Sequence, residues 1–77
     1  MKEIEMVDPL LNALCKKYEG EIAAAIANIN VYRTNPVGIG EHPNIVAAVD
    51  SEVVKLAEAI DKLNAINDYF PSPAEPL

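Results

Sequence analysis

His42 and Cys15 are the side chains of this 77-residue sequence best suited to catalysis or metal binding. His42 is the only histidine, and as a metal ligand or general base it would need a second His or Cys at ligand spacing, which the sequence lacks. We therefore favour a helix-capping or exposed loop histidine. Cys15 would need an activating cation or histidine to act as a nucleophile, so we expect a small buried hydrophobe. The sequence predicts no catalytic residue and no metal ligand.

Two further patterns resemble catalytic or binding motifs only superficially. The loop Gly38-Ile39-Gly40 is similar to a phosphate cradle, but no Lys-Ser/Thr follows it and no strand precedes it. Acidic pairs such as Asp50 with Glu52 lie on what should be the solvated outer face of a helix. We expect no cofactor and a protein that is not an enzyme.

Charge and hydropathy exclude two classes of partner. Six basic and twelve acidic residues give a net charge of −6, and the cations are scattered, whereas nucleic-acid binding needs them gathered on one face. The longest uncharged stretch in the first half, 22–32, is far shorter than the roughly 20 residues that cross a bilayer. We expect no nucleic acid, no membrane span and, from the charged start and lone thiol, a cytoplasmic protein.

A first helix is predicted over about residues 9–33. Asp8 is a suitable N-cap, and Pro9 at the first helical position loses only an amide N–H that would have no intrahelical partner. The helix should end before Pro36, which disfavours helical geometry in its predecessor. Apolar residues recur at alternating spacings of four and three, as in a heptad seam: Leu11, Cys15, Tyr18, Ile22, Ala25, Ile29 and Tyr32.

Gly20 leaves the continuity of this helix open, because glycine in a helix interior costs about 0.8–1 kcal/mol relative to alanine. Either it ends a short helix and a second begins near Glu21, or the helix continues and Gly20, Ala24 and Ala27 form a small-residue strip that admits a close neighbour. We favour the continuous helix because the seam keeps its register. A short strand around 28–31 is a weaker alternative, since no second strand is available to pair with it.

A connector over 34–42 leads to a second predicted helix over about 43–69, with Pro43 at its first position and His42 as its N-cap. The three prolines in 71–77 predict an extended or disordered tail outside a single domain over 1–70. The second seam again has heptad spacing: Val46, Val49, Val53, Leu56, Ile60, Leu63 and Asn67.

These elements predict an all-α fold, an antiparallel two-helix hairpin that assembles into a four-helix bundle. A hairpin covers one stripe of each helix, yet both helices carry apolar residues beyond their seams, and monomers seldom expose such patches. A homodimer or higher homo-oligomer is expected. The predicted interface residues are Ala24, Ile26, Ala27, Val31, Val54 and Ile66.

The connector and the start of the second helix resemble a known kind of protein. The string Asn35-Pro36-Val37-Gly38-Ile39-Gly40-Glu41-His42-Pro43, followed by Ile45 and Asp50, is similar to a segment of short helical proteins encoded by tailed phages, including those that infect marine cyanobacteria. The similarity covers about the central two thirds of the chain. It implies a viral protein acting in the bacterial host cytoplasm and transfers no catalytic residue.

We therefore expect a non-enzymatic, self-associating protein–protein interaction module. Its partner, apart from a second copy, would be a host protein bound by a helix face or by the connector. An alternative, based on the net charge, is an acidic regulator or nucleic-acid mimic that occupies a basic site on a host protein. The connector residues proposed for recognition are Asn35, Gly38, Gly40, Glu41 and His42.

Overall fold

Two long helices pack against each other in the computed structural model, which describes residues 8–34 and 44–71. Helix α1 spans Pro9–Thr34 and helix α2 spans Ile45–Tyr69. Asn28 is hydrogen-bonded to Glu52, and the Lys62 ammonium lies over the Tyr18 ring, so the helices run antiparallel. The all-α hairpin is confirmed and the described ranges contain no strand, whereas the four-helix bundle stays a prediction.

The start of α1 follows the predicted capping. The Asp8 carboxylate accepts hydrogen bonds from the backbone N–H groups of Leu10 and Leu11, at 3.0 and 3.2 Å. These two donors have no partner within the helix, so the cap satisfies them. At the other end, the Thr34 hydroxyl donates to the Asn30 carbonyl oxygen at 2.8 Å, in the last turn. The helix ends one residue beyond the predicted Arg33.

The start of α2 differs from the prediction. The helix begins at Ile45, and its N-cap is Asn44, whose side-chain oxygen accepts a hydrogen bond from the Ala47 N–H at 2.9 Å. Asparagine is among the strongest N-cap residues because its oxygen reaches the free N–H groups of the first turn. The predictions of His42 as the N-cap and of a start at Pro43 are therefore wrong.

The predicted seam of α1 is the stripe that faces α2. Each of its seven positions is buried or half-buried, and Ala25 is 2% exposed. On α2 only Ala59, at 1% exposure, is equally buried. Each helix thus has a single fully buried position among the described residues, and both are alanines with small side chains. All large aliphatic side chains of the described residues keep part of their surface in contact with solvent.

The predicted seam of α2 is wrong at alternate positions. Val49, Leu56 and Leu63 are half-buried as predicted, but their expected partners face outward: Val46, Val53, Ile60 and Asn67. The inward positions are one residue earlier in each case: Ile45, Glu52, Ala59 and Ile66. The helix is therefore turned by about half of the 100° that separates successive residues, which leaves three aliphatic residues outside the hairpin.

Gly20 lies in an unbroken helix, as the favoured interpretation predicted, so the split helix and the short strand are both wrong. A methyl group added at Gly20 would meet nothing within 4 Å. The close neighbour expected beside the small-residue strip of Gly20, Ala24 and Ala27 is thus not found at Gly20 among the described residues.

We predict that Gly20→Ala stabilises the protein by about 0.8–1 kcal/mol. Alanine loses less backbone entropy than glycine when it enters a helix, and the added methyl group is free of clashes. Urea unfolding followed by circular dichroism measures the change. Unchanged or lower stability would mean that α1 does not continue through this residue in solution.

We predict that Ala59→Leu destabilises the protein by about 1–3 kcal/mol, since three added carbon atoms must fit at a position that is only 1% exposed. Ala57→Leu makes the same chemical change at an exposed position of α2 and is the matched control. Equal unfolding midpoints for the two variants, measured at one protein concentration, would contradict the burial of Ala59.

Candidate functional site

An open cleft of about 370 Å³ runs along one side of the helix pair. Its polar lining carries both signs of charge, with three glutamates, two lysines and one asparagine. We call this side the polar cleft. Its lining residues are Glu21, Ala24, Ala25, Asn28, Glu52, Lys55, Glu58 and Lys62.

Glu52 is the enclosed member of its ion pair with Lys55 in this cleft, with 13% of its side chain exposed against 62% for Lys55. One carboxylate oxygen accepts from the Asn28 amide at 3.2 Å, and the other accepts from the Lys55 ammonium at 3.3 Å. The Asn28 hydrogen bond holds the pKa of Glu52 below its ordinary value of 4.5, and Lys55 adds to the effect. A carboxylate can occupy this inward position because both of its oxygens are paired.

A second charged group continues the cleft toward the start of α1. The Lys17 ammonium donates to the Glu21 carboxylate at 2.7 Å, and this bond lowers the pKa of Glu21 and raises that of Lys17. Lys17 and Lys62 both lie over the Tyr18 ring, at 5.3 and 5.5 Å from its centre. These distances are within the range of cation–π attraction. Tyr18 thereby links the two helices on the polar side.

The opposite side of the hairpin is aliphatic. In a helix, residues i−4 and i+3 lie on one side of residue i, and residue i+1 lies on the other. For Ala25, positions i−4 and i+3 are Glu21 and Asn28, which line the cleft, and position i+1 is Ile26. For Ala59, positions i−4 and i+3 are Lys55 and Lys62, which line the cleft, and position i+1 is Ile60. The +1 positions of both helices therefore lie on the side away from the cleft.

We call that side the aliphatic face. Its exposed members are 41–79% accessible: Ile26, Val46, Val53 and Ile60. Its half-buried members lie between these and the helix contact: Ile22, Ile29, Val49, Leu56 and Leu63.

The six residues predicted to form an interface do not share one side. Ile26 lies on the aliphatic face, Ala24 lines the polar cleft and Ile66 is half-buried at an inward position. The other three are exposed elsewhere on the helices: Ala27, Val31 and Val54. The connector residues proposed for recognition lie outside the described residues: Asn35, Gly38, Gly40, Glu41 and His42.

The Asn28–Glu52 pair is the feature of the cleft that sequence reasoning missed. Glu52 was assigned to the solvated outer face with Asp50, whereas the structure turns it toward α1. A signal was present, because Glu52 continues a second heptad pattern through Ile45, Val49, Leu56 and Ala59. Counting only large apolar residues gave that pattern less weight.

Residues 8–34 and 44–71 contain no group of three or more His, Cys, Asp or Glu side chains that could hold a metal ion. Cys15 is half-buried on the α1 seam. Neither α1 nor α2 is long and apolar enough to cross a membrane. What the geometry supplies is one polar and one aliphatic side on a rigid pair of helices.

Comparison with known proteins leaves the class to be defined by the fold alone. No protein-family model, curated protein or solved structure matches this chain. The fold and its two sides define a small amphipathic helical hairpin.

We predict that stability falls as pH is lowered below the ordinary carboxylate range. The folded-state pKa values of Glu21 and Glu52 are lowered, so their contribution is present above about pH 4.5 and is lost as pH falls through the lowered values. Thermal unfolding between about pH 5 and pH 3 measures the loss.

Glu52→Gln should reduce this pH dependence, because the amide oxygen still accepts from Asn28 but does not titrate. Glu58→Gln, at a cleft carboxylate outside the Asn28 and Lys55 contacts, is the control. If both variants keep the full wild-type dependence, the Glu52 pair does not contribute to acid sensitivity.

Proposed function

We propose that this chain is a non-enzymatic interaction module that associates with a second copy of itself through the aliphatic face. The observation that carries the proposal is the clustering of Ile26, Val46, Val53 and Ile60 on the side opposite the polar cleft. Four exposed aliphatic side chains next to five half-buried ones form a contiguous apolar area, and such areas mark association sites in water-exposed proteins.

The small core of a single hairpin supports this proposal. Ala25 and Ala59 are the only fully buried residues in the described part of the chain. Covering a large aliphatic side chain contributes about 1.5–3 kcal/mol, whereas a buried alanine contributes much less. A chain of this size usually needs a staple or a partner for stability, and its single cysteine cannot form an intramolecular disulfide.

The spacing on α2 favours a second copy as the occupant of the face. Val46, Val49, Val53, Leu56, Ile60 and Leu63 recur at three and four residues, the spacing with which helices pack knobs into holes. A second hairpin presents the same spacing, so two faces of equal length and character cover each other. The product is a four-helix bundle with the polar clefts on its outside.

The described charges favour this function over an acidic regulator. Eight acidic and five basic residues in 8–34 and 44–71 give −3, half of the −6 of the whole chain. Both signs meet in the polar cleft, so it offers no uniformly acidic surface to a basic partner. In the proposed dimer the polar clefts face outward, where they would contact a host protein. The proposed compartment is the cytoplasm, where the single thiol of Cys15 stays reduced.

We predict that Val53→Glu dissociates the assembly, because each dimer would enclose two unpaired carboxylates. Val54→Glu is a matched control: it changes the adjacent residue of the same type and nearly the same exposure, 48% against 45%, but on the far side of α2. Sedimentation equilibrium at micromolar concentration should give twice 8.3 kDa for the wild type and the control, and one chain mass for Val53→Glu.

A folded wild-type monomer at that concentration would overturn the proposal. Dissociation by Val54→Glu with an intact Val53→Glu dimer would instead place the interface on the outer side of α2, where Val54 was predicted to contribute. Circular dichroism of each variant separates dissociation from unfolding.

A further inference from the structure

Glu19, Ile26 and Arg33 form a line along the α1 edge of the aliphatic face. They are spaced by seven residues, and each directly follows an inward seam residue: Tyr18, Ala25 or Tyr32. All three are exposed. Since seven residues make nearly two helical turns, the three side chains lie above one another on α1.

This line has opposite charges at equal distances from its centre. Glu19 is about 10 Å to one side of Ile26 along the helix, and Arg33 is about 10 Å to the other, at 1.5 Å per residue. A two-fold rotation about an axis perpendicular to the helix at Ile26 places Glu19 at the position of Arg33, and Arg33 at the position of Glu19. The α1 edge is therefore complementary to a second copy of itself in the antiparallel direction.

The α2 edge of the same face has its centre at a matching height. Val46, Val53, Ile60 and Asn67 are also spaced by seven, and their midpoint lies between Val53 and Ile60. In antiparallel helices, residues at the same height have residue numbers with a constant sum. The pairs Asn28–Glu52 and Tyr18–Lys62 each add to 80, so Ile26 lies level with residue 54. The two centres thus lie within about one helical turn of each other.

We propose that two hairpins associate about a two-fold axis that is perpendicular to the helices and passes beside Ile26. In this arrangement α1 lies antiparallel to the partner's α1, and Glu19 opposes Arg33 of the partner subunit. Arg33 opposes Glu19 of the partner subunit in the same way, as an isologous interface requires. The arrangement rests on the proposed self-association and specifies which surfaces meet.

A two-fold axis parallel to the helices is the competing arrangement. It would place each α1 over α2 of the other copy, so that Glu19 and Arg33 would approach the line of Val46, Val53 and Ile60. A charge brought against aliphatic side chains loses hydration without gaining a partner. The perpendicular axis avoids this cost because each charge meets its opposite and the aliphatic residues of α2 meet one another.

The existing partners of the two charges leave them available for these contacts. Glu19 lies 4.0 Å from Lys16, and the Arg33 guanidinium donates to the Asn30 side-chain oxygen at 3.1 Å. Both contacts are local to α1 and exposed, so they are weak. Ion pairs at the rim of an interface select orientation more than they add affinity. The aliphatic face would supply the affinity, and the charges would select the orientation.

Charge reversal tests the pairing directly. Glu19→Arg or Arg33→Glu alone places like charges opposite each other twice in each dimer, and at low salt should raise the dimer dissociation constant by about tenfold. The double variant restores opposite charges and should return the constant to near the wild-type value. Glu58→Lys with Lys62→Glu, an exchange in the polar cleft, is the control and should leave the constant unchanged.

Cross-linking tests the position of the axis. In a Cys15→Ser background, Ile26→Cys places two thiols beside the axis, where they can reach disulfide distance. We expect rapid formation of a disulfide-linked dimer on oxidation. Val46→Cys in the same background should cross-link much more slowly, because residue 46 lies eight residues, or about 12 Å, from the level of the axis and its copy lies equally far on the other side.

The outcomes separate this inference from the proposed function. If wild type is a dimer that Val53→Glu dissociates, but the double charge reversal fails to restore association and Ile26→Cys does not cross-link, the self-association stands and the perpendicular axis is wrong. A wild-type monomer would overturn both. Restoration together with Ile26→Cys cross-linking would support both.

Discussion

Two helices share only one contact surface, and every other property of this protein follows from how that surface is used. Here the fully buried positions of the described helices are Ala25 and Ala59, whose small side chains cover little apolar area. The larger aliphatic residues lie at the edges of the contact, where solvent reaches them. The hairpin therefore leaves its large aliphatic side chains incompletely covered.

The parts of the fold governed by local rules were predictable from the sequence. Asp8 caps α1, and the α1 seam faces α2 at all its positions, because that stripe is the one on which apolar residues recur at heptad spacing along the whole helix. The start of α2 was missed by two residues, since asparagine is a stronger N-cap residue than histidine and the Asn44 side chain makes the cap hydrogen bond.

The orientation of α2 and the polar cleft were not predictable in the same way. Val49, Leu56 and Leu63 belong to two overlapping heptad patterns, one completed by Val53 and Ile60, the other by Glu52 and Ala59. Hydrophobicity favours the first pattern. The structure follows the second pattern: Ala59 is fully buried, and Asn28, on the other helix, satisfies Glu52. A pairing between residues 24 positions apart is invisible to any count made within one helix.

In the proposed dimer, Glu52 also bears on how far assembly can proceed. A carboxylate held at an inward position keeps the polar cleft hydrated, so the hairpin presents an apolar association surface only on its aliphatic face. If an aliphatic residue replaced Glu52, both sides of the hairpin could associate, and each molecule could bind a neighbour on either side. Such two-sided contacts do not close and grow into fibres. The single enclosed carboxylate would thus act as a terminator, limiting growth to a finite particle.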